Sequence, residues 1–410
     1  MEKYCINMNR LLNHIKELGN TGRDEKGELS RLVASDIDKL GRDLVVSWMK
    51  DIDLEIKVDR IGNVFGIWST EKNKDKEPIF IGSHIDSVVN AGMYDGCYGF
   101  LAGIEVIQTL KENNYISARP LVASFYTNEE GVRYQPDMMG SLVYAGGFDV
   151  EEALKSIGTD GTILGEELKR IGYYGDNEPG FIKPKAYIEL HVEQGPILDQ
   201  MKIPVGAVEN LQGISWQKIT IEGIANHAGT TPMYLRKDAG YAAAAVNTYI
   251  HDLCNTIENS VGTIGSISYE PNVINVIPSK VVFTVDLRNP NSTLFKQLED
   301  KLDEFLVKLE EEIGLTIKKE RLVRFEPVIF DENIVKIIEK SAKNRGINTR
   351  RMTSGAGHDA QMMARICPTA MIFVPSHDGI SHNPKEFTEE KDLENGANIL
   401  LDVLLELSSK

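Results

Sequence analysis

"IGSHIDSVVNAGMYDG", Ile81 to Gly96, joins an apolar run to a loop carrying one His, two Asp and three Gly. With the residues before it, "PIFIG" (Pro78 to Gly82) reads as a buried strand that ends in ionisable side chains. Open α/β sheets bind ligands at the carboxyl ends of their strands, so the reading depends on whether other strands end the same way. Three more candidates do. "RPLVASFYTNEEG" runs into Glu129 and Glu130, "KAYIELHVEQGPIL" carries Glu189, His191 and Glu193 on one face by the two-residue period, and "PTAMIFVPS" leads into a polar cluster from Ser376 to His382.

Between these strands lie helical stretches. "SRLVASDIDKLGRDLVVSWMKDI" follows an amphipathic N-terminal helix, "EIKVDRIGNVFGIW" reads as a two-strand ribbon, and "FLAGIEVIQTLKENN" is a helix packed after the glycine loop. This alternation predicts α/β architecture, a mixed sheet between helices. From about Gly213 the style changes. "ISWQKITIEGIANHAG" alternates like a half-solvated strand, "RKDAGYAAAAVNTYIHDLCNTI" is a helix, and "GTIGSISYEPNVINVIPSKVVFTVDLR" reads as two or three antiparallel strands. A charged helix, "TLFKQLEDKLDEFLVKLEEEIG", and the strand "TIKKERLVRF" complete a β-α-β-β-α-β order, the ferredoxin-like arrangement. After Pro327 the α/β style returns. The expected organisation is therefore a first domain over 1–211 and 327–410, with a small α+β domain inserted at 212–326, and hinges near 211 and 326.

Composition narrows the function. A chain of 410 residues exceeds the size at which one core usually keeps growing, which agrees with two domains. The formal charge of -16, with no basic block, argues against nucleic acid or an anionic membrane as partner. The N-terminus has no long apolar core, and "GYAAAAVNTYI" is too short to span a bilayer. Four cysteines stand far apart with no CxxC pair, which fits free thiols in a reducing cytoplasm.

A lone His at a strand end, such as His84, is more often hydrogen-bonded structure than a ligand. Adjacent carboxylates are usually a solvated turn, yet Glu129 and Glu130 follow an apolar strand, and like charges that close to a core require a cation or a raised pKa. Imidazoles and carboxylates converging on one sheet rim suit a divalent metal.

"GSHIDSVVNAGMYDGCYGFLAGIE", "TNEEGVRY", "ELHVEQGPIL", "NHAGTTPM", "NVIPSKVVFTVDLR", "SGAGHDAQMMA" and "PSHDGISHNPKEFT" resemble, in order, the motifs of the hydantoinase/carbamoylase amidase family of dinuclear metallohydrolases. The resemblance runs from about residue 10 to the C-terminus. It implies that His84 and His191 hold one divalent ion, that Glu130 and His382 hold the other, and that Asp95 bridges them about 3.5 to 4 Å apart. Asp86 is then the carboxylate that orients the His84 ring, and Glu129 is left free as general base. For substrate, the family implies Arg288 as a bidentate carboxylate clamp and His227 as the oxyanion-stabilising donor. It implies Gln194 and Asn275 as hydrogen-bonding positions, and Gly357 and His358 on a loop over the pocket, with His358 also readable as a structural cap. Asp378 departs from the usual pattern and adds charge near the metal-side loop.

The reaction implied is hydrolysis of the carbamoyl C–N bond of an N-carbamoyl-L-amino acid, a small anionic ureido substrate, to ammonia, carbon dioxide and the amino acid. Allantoate amidohydrolase is the alternative, with N-carbamoyl-β-alanine hydrolase (β-ureidopropionase) beside it and aminoacylase or peptidase activity more remote. A thiol hydrolase built on Cys97 is a further contrast. Zinc, manganese, cobalt and nickel all accept these ligands. The family also implies a homodimer, paired through the inserted lid domain, and the unpaired cysteines imply a cytoplasmic location.

Overall fold

The computed structural model describes residues 4–409. Two compact units emerge, one of residues up to Glu209 and from Phe330 on, the other of Asn210–Ile329.

The first unit is built on a mixed sheet. Its strands are β1 (Glu55–Val58), β2 (Val64–Trp68), β3 (Ile79–His84), β4 (Leu121–Tyr126), β5 (Ala186–Val192) and β6 (Val205–Leu211), joined late in the chain by β13 (Thr349–Ser354) and β14 (Thr369–Val374). Their order is β1-β2-β4-β3-β5-β14-β6, with β13 also on β6. β3 is parallel to both β4 and β5, and β14 is parallel to β5. All residues of β3, β4, β5 and β14 are buried, which is why they read as unbroken apolar runs. Four parallel strands thus end on one rim.

Helices cover both faces of this sheet. The early ones are α1 (Met8–Asn20), α2 (Asp36–Asp51), α3 (Cys97–Glu112) and the shorter α4 (Met139–Tyr144), α5 (Val150–Leu154), α6 (Leu164–Ile171) and α7 (Ile197–Met201). The second unit supplies α8 (Ala239–Thr256) and α9 (Ser292–Ile313), and the chain then adds α10 (Glu332–Arg345), α11 (Asp359–Met363) and α12 (Glu390–Leu407). Neighbouring residues of β5 point to opposite faces. The Glu189 carboxylate accepts from the Ala360 amide of α11, whereas a Cβ on Gly396 of α12 would stand 3.0 Å from Leu190. α2 begins six residues later than "SRLVAS" suggests, because the Ser35 hydroxyl caps it by accepting from the Asp38 amide.

The second unit has strands β7 (Gly213–Glu222), β8 (Val261–Thr263), β9 (Ile267–Glu270), β10 (Lys280–Asn289) and β11 (Thr316–Phe325). Their order is β11-β7-β10-β8, with β9 also on β10. All four pairings are antiparallel. This is the ferredoxin-like order with its second strand broken into β8 and β9. β10 alternates strictly between buried and half-buried residues, and its Val281, Phe283, Val285 and Leu287 form one core with α8 and α9. The chain passes back through β12 (Val328–Ile329), which pairs with Leu211 and Asn210 of β6.

Candidate functional site

The site is assembled where β3, β4 and β5 end. β3 closes on His84, whose ring is 1% exposed and whose Nδ1 lies 2.9 Å from the Asp86 backbone carbonyl. A carbonyl can only accept, so Nδ1 carries a proton and Nε2 is the ring atom turned to the cluster. His191, on β5, repeats the device with Nδ1 2.8 Å from the Val192 carbonyl. The two Nε2 atoms face the same oxygen, Asp95 Oδ1, at 3.4 Å from His84 and 3.2 Å from His191. On the other side of that carboxylate, His382 Nε2 lies 3.3 Å from Asp95 Oδ2 and 3.4 Å from Glu130 Oε2. Each oxygen of Asp95 thus serves its own group, His84–Asp95–His191 or Asp95–Glu130–His382, and within each group the potential ligand atoms lie within 4.8 Å of one another.

Backbone geometry makes this possible. Gly96, which follows Asp95, has φ +63°, and a Cβ there would sit 2.4 Å from His84 Nε2. Only glycine fits. Its amide donates to His191 Nε2 at 3.0 Å. Asn128 and Gly131, on either side of the glutamate pair, have φ 60° and 64° and turn the chain at the end of β4. Arg42 of α2 secures that turn from behind. Its guanidinium bonds Asp38 at 2.7 Å, the Gly62 carbonyl at 2.7 Å and the Thr127 hydroxyl at 3.3 Å.

Asp86 differs from expectation in how it acts. Its backbone carbonyl, and not its carboxylate, takes the His84 proton; the carboxylate stands 3.9 Å from Nδ1. That carboxylate instead accepts the amides of Glu129 and Glu130, each at 3.3 Å, and so fixes the end of β4. A carbonyl two residues on is geometrically closer to a strand-end ring than a side chain that has to fold back.

Glu129 belongs to neither ligand group, although it is buried and its Oε2 is 3.5 Å from His84 Nε2. Burial pushes its carboxyl well up; His84 opposes this and Glu130 adds to it. Burial and then Asp95 push Glu130 up to about 8. For Asp95 burial acts upward, but the hydrogen bonds of His191, His382 and His84 outweigh it and hold the group well below the carboxylate range. The hydrogen bond to Asp95 raises His382 to about 9. Imidazole nitrogens this close to buried carboxylates require positive charge between them, supplied by protons or by cations. The donor set fits divalent metal, and Glu130 Oε1, buried with no hydrogen-bond donor among the described residues, supplies a further free lone pair.

The other expected residues divide. Gln194 joins the cluster, its Nε2 donating to Asp95 Oδ2 at 2.8 Å. His358 is 1% exposed, with its ring centroid 4.5 Å from that of His191 and its Nε2 unpartnered. Burial, then the charge of His191, depresses its pKa far below the usual value, so it stays neutral. Gly357 packs so closely that a Cβ would meet Met138 at 2.9 Å. His227, Asn275 and Arg288 lie in the second unit. There the Ala228 amide donates to the Asn275 carbonyl at 2.9 Å, bringing His227 and Asn275 to one end of the unit. His227 Nδ1 accepts from the Gly229 and Thr230 amides, so its exposed Nε2 carries the proton. Arg288 sits near the far end of β10, paired with Asp286 at 2.8 Å. Cys97 is a buried thiol, pushed up by burial, with Arg31 3.2 Å from its sulfur; it lacks the exposed, acidified setting of a nucleophile.

Three further residues complete the site, of which Glu189 and Ser381 belong to the strand-end clusters of the sequence and Glu386 was given no role there. Glu189 accepts from Ser83, Tyr187 and Ala360, which occupies its oxygens and tells against a ligand role despite its place beside His191 and His358. Ser381 and Glu386 stand behind Asp95. Both lie inside "SHNPKEFT", so their proximity to His382 in sequence is the cue that was available.

No helix among the described residues is long and apolar enough to cross a membrane. Residues 80–406 match the model of peptidase family M20/M25/M40. A Rhizobium meliloti protein named N-carbamoyl-L-amino-acid amidohydrolase is 36% identical over 408 residues, spanning 99% of this chain and 97% of its own. An allantoate amidohydrolase from Bacillus subtilis is 34% identical over 415 residues, spanning 100% of both. The crystal structure of an amidase of the hydantoinase/carbamoylase family from Burkholderia multivorans superposes with a TM-score of 0.95 at 39% identity, covering 99% of each chain. Full-length matches of this kind, on a chain whose strand ends gather these imidazoles and carboxylates, make it a hydrolase of the M20/M25/M40 family, within the hydantoinase/carbamoylase amidases.

Proposed function

We propose that this chain hydrolyses the carbamoyl C–N bond of N-carbamoyl-L-amino acids, releasing ammonia, carbon dioxide and the free amino acid. The observation that carries the reading is the split carboxylate of Asp95, one oxygen facing His84 and His191 and the other facing His382 beside Glu130, with Glu129 left out of both groups. His84 and His191 would hold one divalent ion, Glu130 and His382 the other, and Asp95 both. Such a pair of ions polarises a carbonyl and acidifies water. The substrate class is supported by the relative named N-carbamoyl-L-amino-acid amidohydrolase, which aligns along nearly the whole chain.

In this reading Glu129 takes the proton of the attacking water and returns it to the leaving nitrogen. Its position against His84 and outside the ligand groups supports that role. Asp86 holds it there through two backbone amides. Gln194, Gly357 and His358 line the substrate side, Arg288 binds the carboxylate of the substrate, Asn275 supplies a further hydrogen bond, and His227 donates its Nε2–H to the developing oxyanion.

The second unit supports a homodimer. From Lys280 to Arg288 is eight residue steps of β10, about 27 Å at ~3.4 Å each. His227 and Asn275 lie before that strand and Arg288 near its end, so one small substrate cannot touch both from a single copy. The unit also exposes Met233, Tyr234, Leu235 and Ile274, apolar area suited to a partner copy.

The test is ammonia release from an N-carbamoyl-L-amino acid, allantoate and N-carbamoyl-β-alanine, with chelated enzyme before and after addition of manganese, cobalt, zinc or nickel. Metal-restored release from the first substrate is expected. Release from allantoate alone would move the assignment to the activity named for the Bacillus subtilis relative, and release from none would overturn the carbamoyl reading.

A further inference from the structure

Glu386 lies outside both ligand groups, 5% exposed, yet it grips the loop that carries Asp95. Its Oε2 accepts from the Tyr94 amide at 3.0 Å and the Asp95 amide at 3.3 Å. Its Oε1 is 3.1 Å from the Ser381 hydroxyl, and that hydroxyl is also 3.2 Å from Asp95 Oδ2. The approach is tight. A Cβ on Gly92 would fall 2.1 Å from Glu386 Oε2, so the loop reaches this carboxylate only because residue 92 has no side chain. Among the described residues no lysine or arginine bonds its carboxylate, whose hydrogen-bond partners are the Tyr94 and Asp95 amides and the Ser381 hydroxyl.

The geometry also fixes a direction. Asp95 Oδ2 accepts from Gln194 Nε2, lies 3.3 Å from His382 Nε2 and shares the single Ser381 O–H with Glu386 Oε1, whereas Oδ1 faces only the His84 and His191 rings. Rotation of the Asp95 carboxylate about its Cβ–Cγ bond would disturb both sets of contacts together. We propose that Glu386 is a positioning residue which, through the Tyr94 and Asp95 amides and the Ser381 hydroxyl, sets the orientation in which Asp95 offers one oxygen to each ligand group. The inference rests on reading the cluster as a divalent-metal site. A mere tie between two loops is the alternative.

The two are separated by measuring metal affinity apart from stability. Native protein, Glu386→Ala, Glu386→Gln and Ser381→Ala are stripped with a chelator and titrated with zinc against a chromophoric chelator, and the melting temperature of each metal-free sample is recorded. Groups that orient metal ligands typically contribute 10- to 100-fold in affinity. Glu386→Ala is expected to weaken zinc binding by about that factor at a nearly unchanged metal-free melting temperature. Glu386→Gln is expected to recover most of it, because its amide oxygen can still accept from both backbone amides. Ser381→Ala leaves the backbone contacts in place and is expected to weaken zinc binding several-fold, so it decides the matter if Glu386→Ala fails to fold. Unchanged zinc affinity in Ser381→Ala and in any folded Glu386→Ala, or equal losses in the Gln and Ala variants, would overturn the proposal. Native protein that binds no zinc would instead remove the metal reading beneath it.

Discussion

Gly96→Ala is the sharpest perturbation the site permits. The new Cβ would stand 2.4 Å from His84 Nε2 and 2.5 Å from both neighbouring ring carbons. Ordinary contact needs roughly 3.5 Å, so the ring would have to move by about 1 Å. Metal–ligand distances tolerate only about 0.2 Å, and His84 cannot slide freely because its Nδ1 is held 2.9 Å from the Asp86 carbonyl. At φ +63° and ψ −52° residue 96 lies outside even the left-handed α region, so a Cβ adds about 1–3 kcal/mol of backbone strain. Gly346, αL at φ +71° and ψ 24° with nothing within 4 Å of its would-be Cβ, isolates the cost of a positive φ from that of a collision. Gly346→Ala should therefore show only the conformational cost, as a small drop in melting temperature with metal binding intact. Gly96→Ala should lose about 100-fold or more in turnover, the scale of a 1 Å misplacement, and at least one bound metal equivalent by elemental analysis. Native metal content and turnover in Gly96→Ala would refute the claim that residue 96 sets the His84 position.

Other consequences follow from the same geometry. Glu129→Gln should lower turnover by about 10²- to 10⁴-fold while elemental analysis still finds the full metal content, because Glu129 is outside both ligand groups. Asp38→Asn should destabilise the protein by about 3–5 kcal/mol in denaturant titration, since it leaves Arg42 buried at 1% side-chain exposure without its counter-charge. Metal binding near pH 7.5 should release protons, measurable as buffer-dependent heat in calorimetry. His382 at about 9 and Glu130 at about 8 are raised above that pH in the metal-free state, so both must give up a proton to bind a cation, and affinity should rise with pH until about 9.

Much of the first unit was legible because burial on both faces writes a strand as an apolar run. β3, β4, β5 and β14 read directly from "PIFIG", "LVASFY", "AYIELHV" and "TAMIFV". β6 was missed because "VGAVENL" mixes glycine and polar residues, and β13 because "TRRMTS" has one apolar residue and takes its place only by pairing with β6. The break between β8 and β9 left no periodic signal either, since β9 is exposed at every residue.

The site shows a different limit. Residue types at strand ends pointed to a ligand-bearing rim, but the tautomer of each imidazole is set by atoms that every residue possesses. His84 is oriented by a backbone carbonyl two positions on and His191 by the carbonyl of the next residue. Asp95 is gripped through its own amide and that of Tyr94. Such contacts leave no mark in residue identity at the position that makes them; they are visible only at the positions that permit them, chiefly Gly92 and Gly96, where a side chain would collide with Glu386 or His84. The glycines of "NAGMYDG" are therefore as much a part of the cluster's chemistry as its histidines, because Gly96 makes room for the His84 ring and Gly92 for the Glu386 carboxylate beside Asp95.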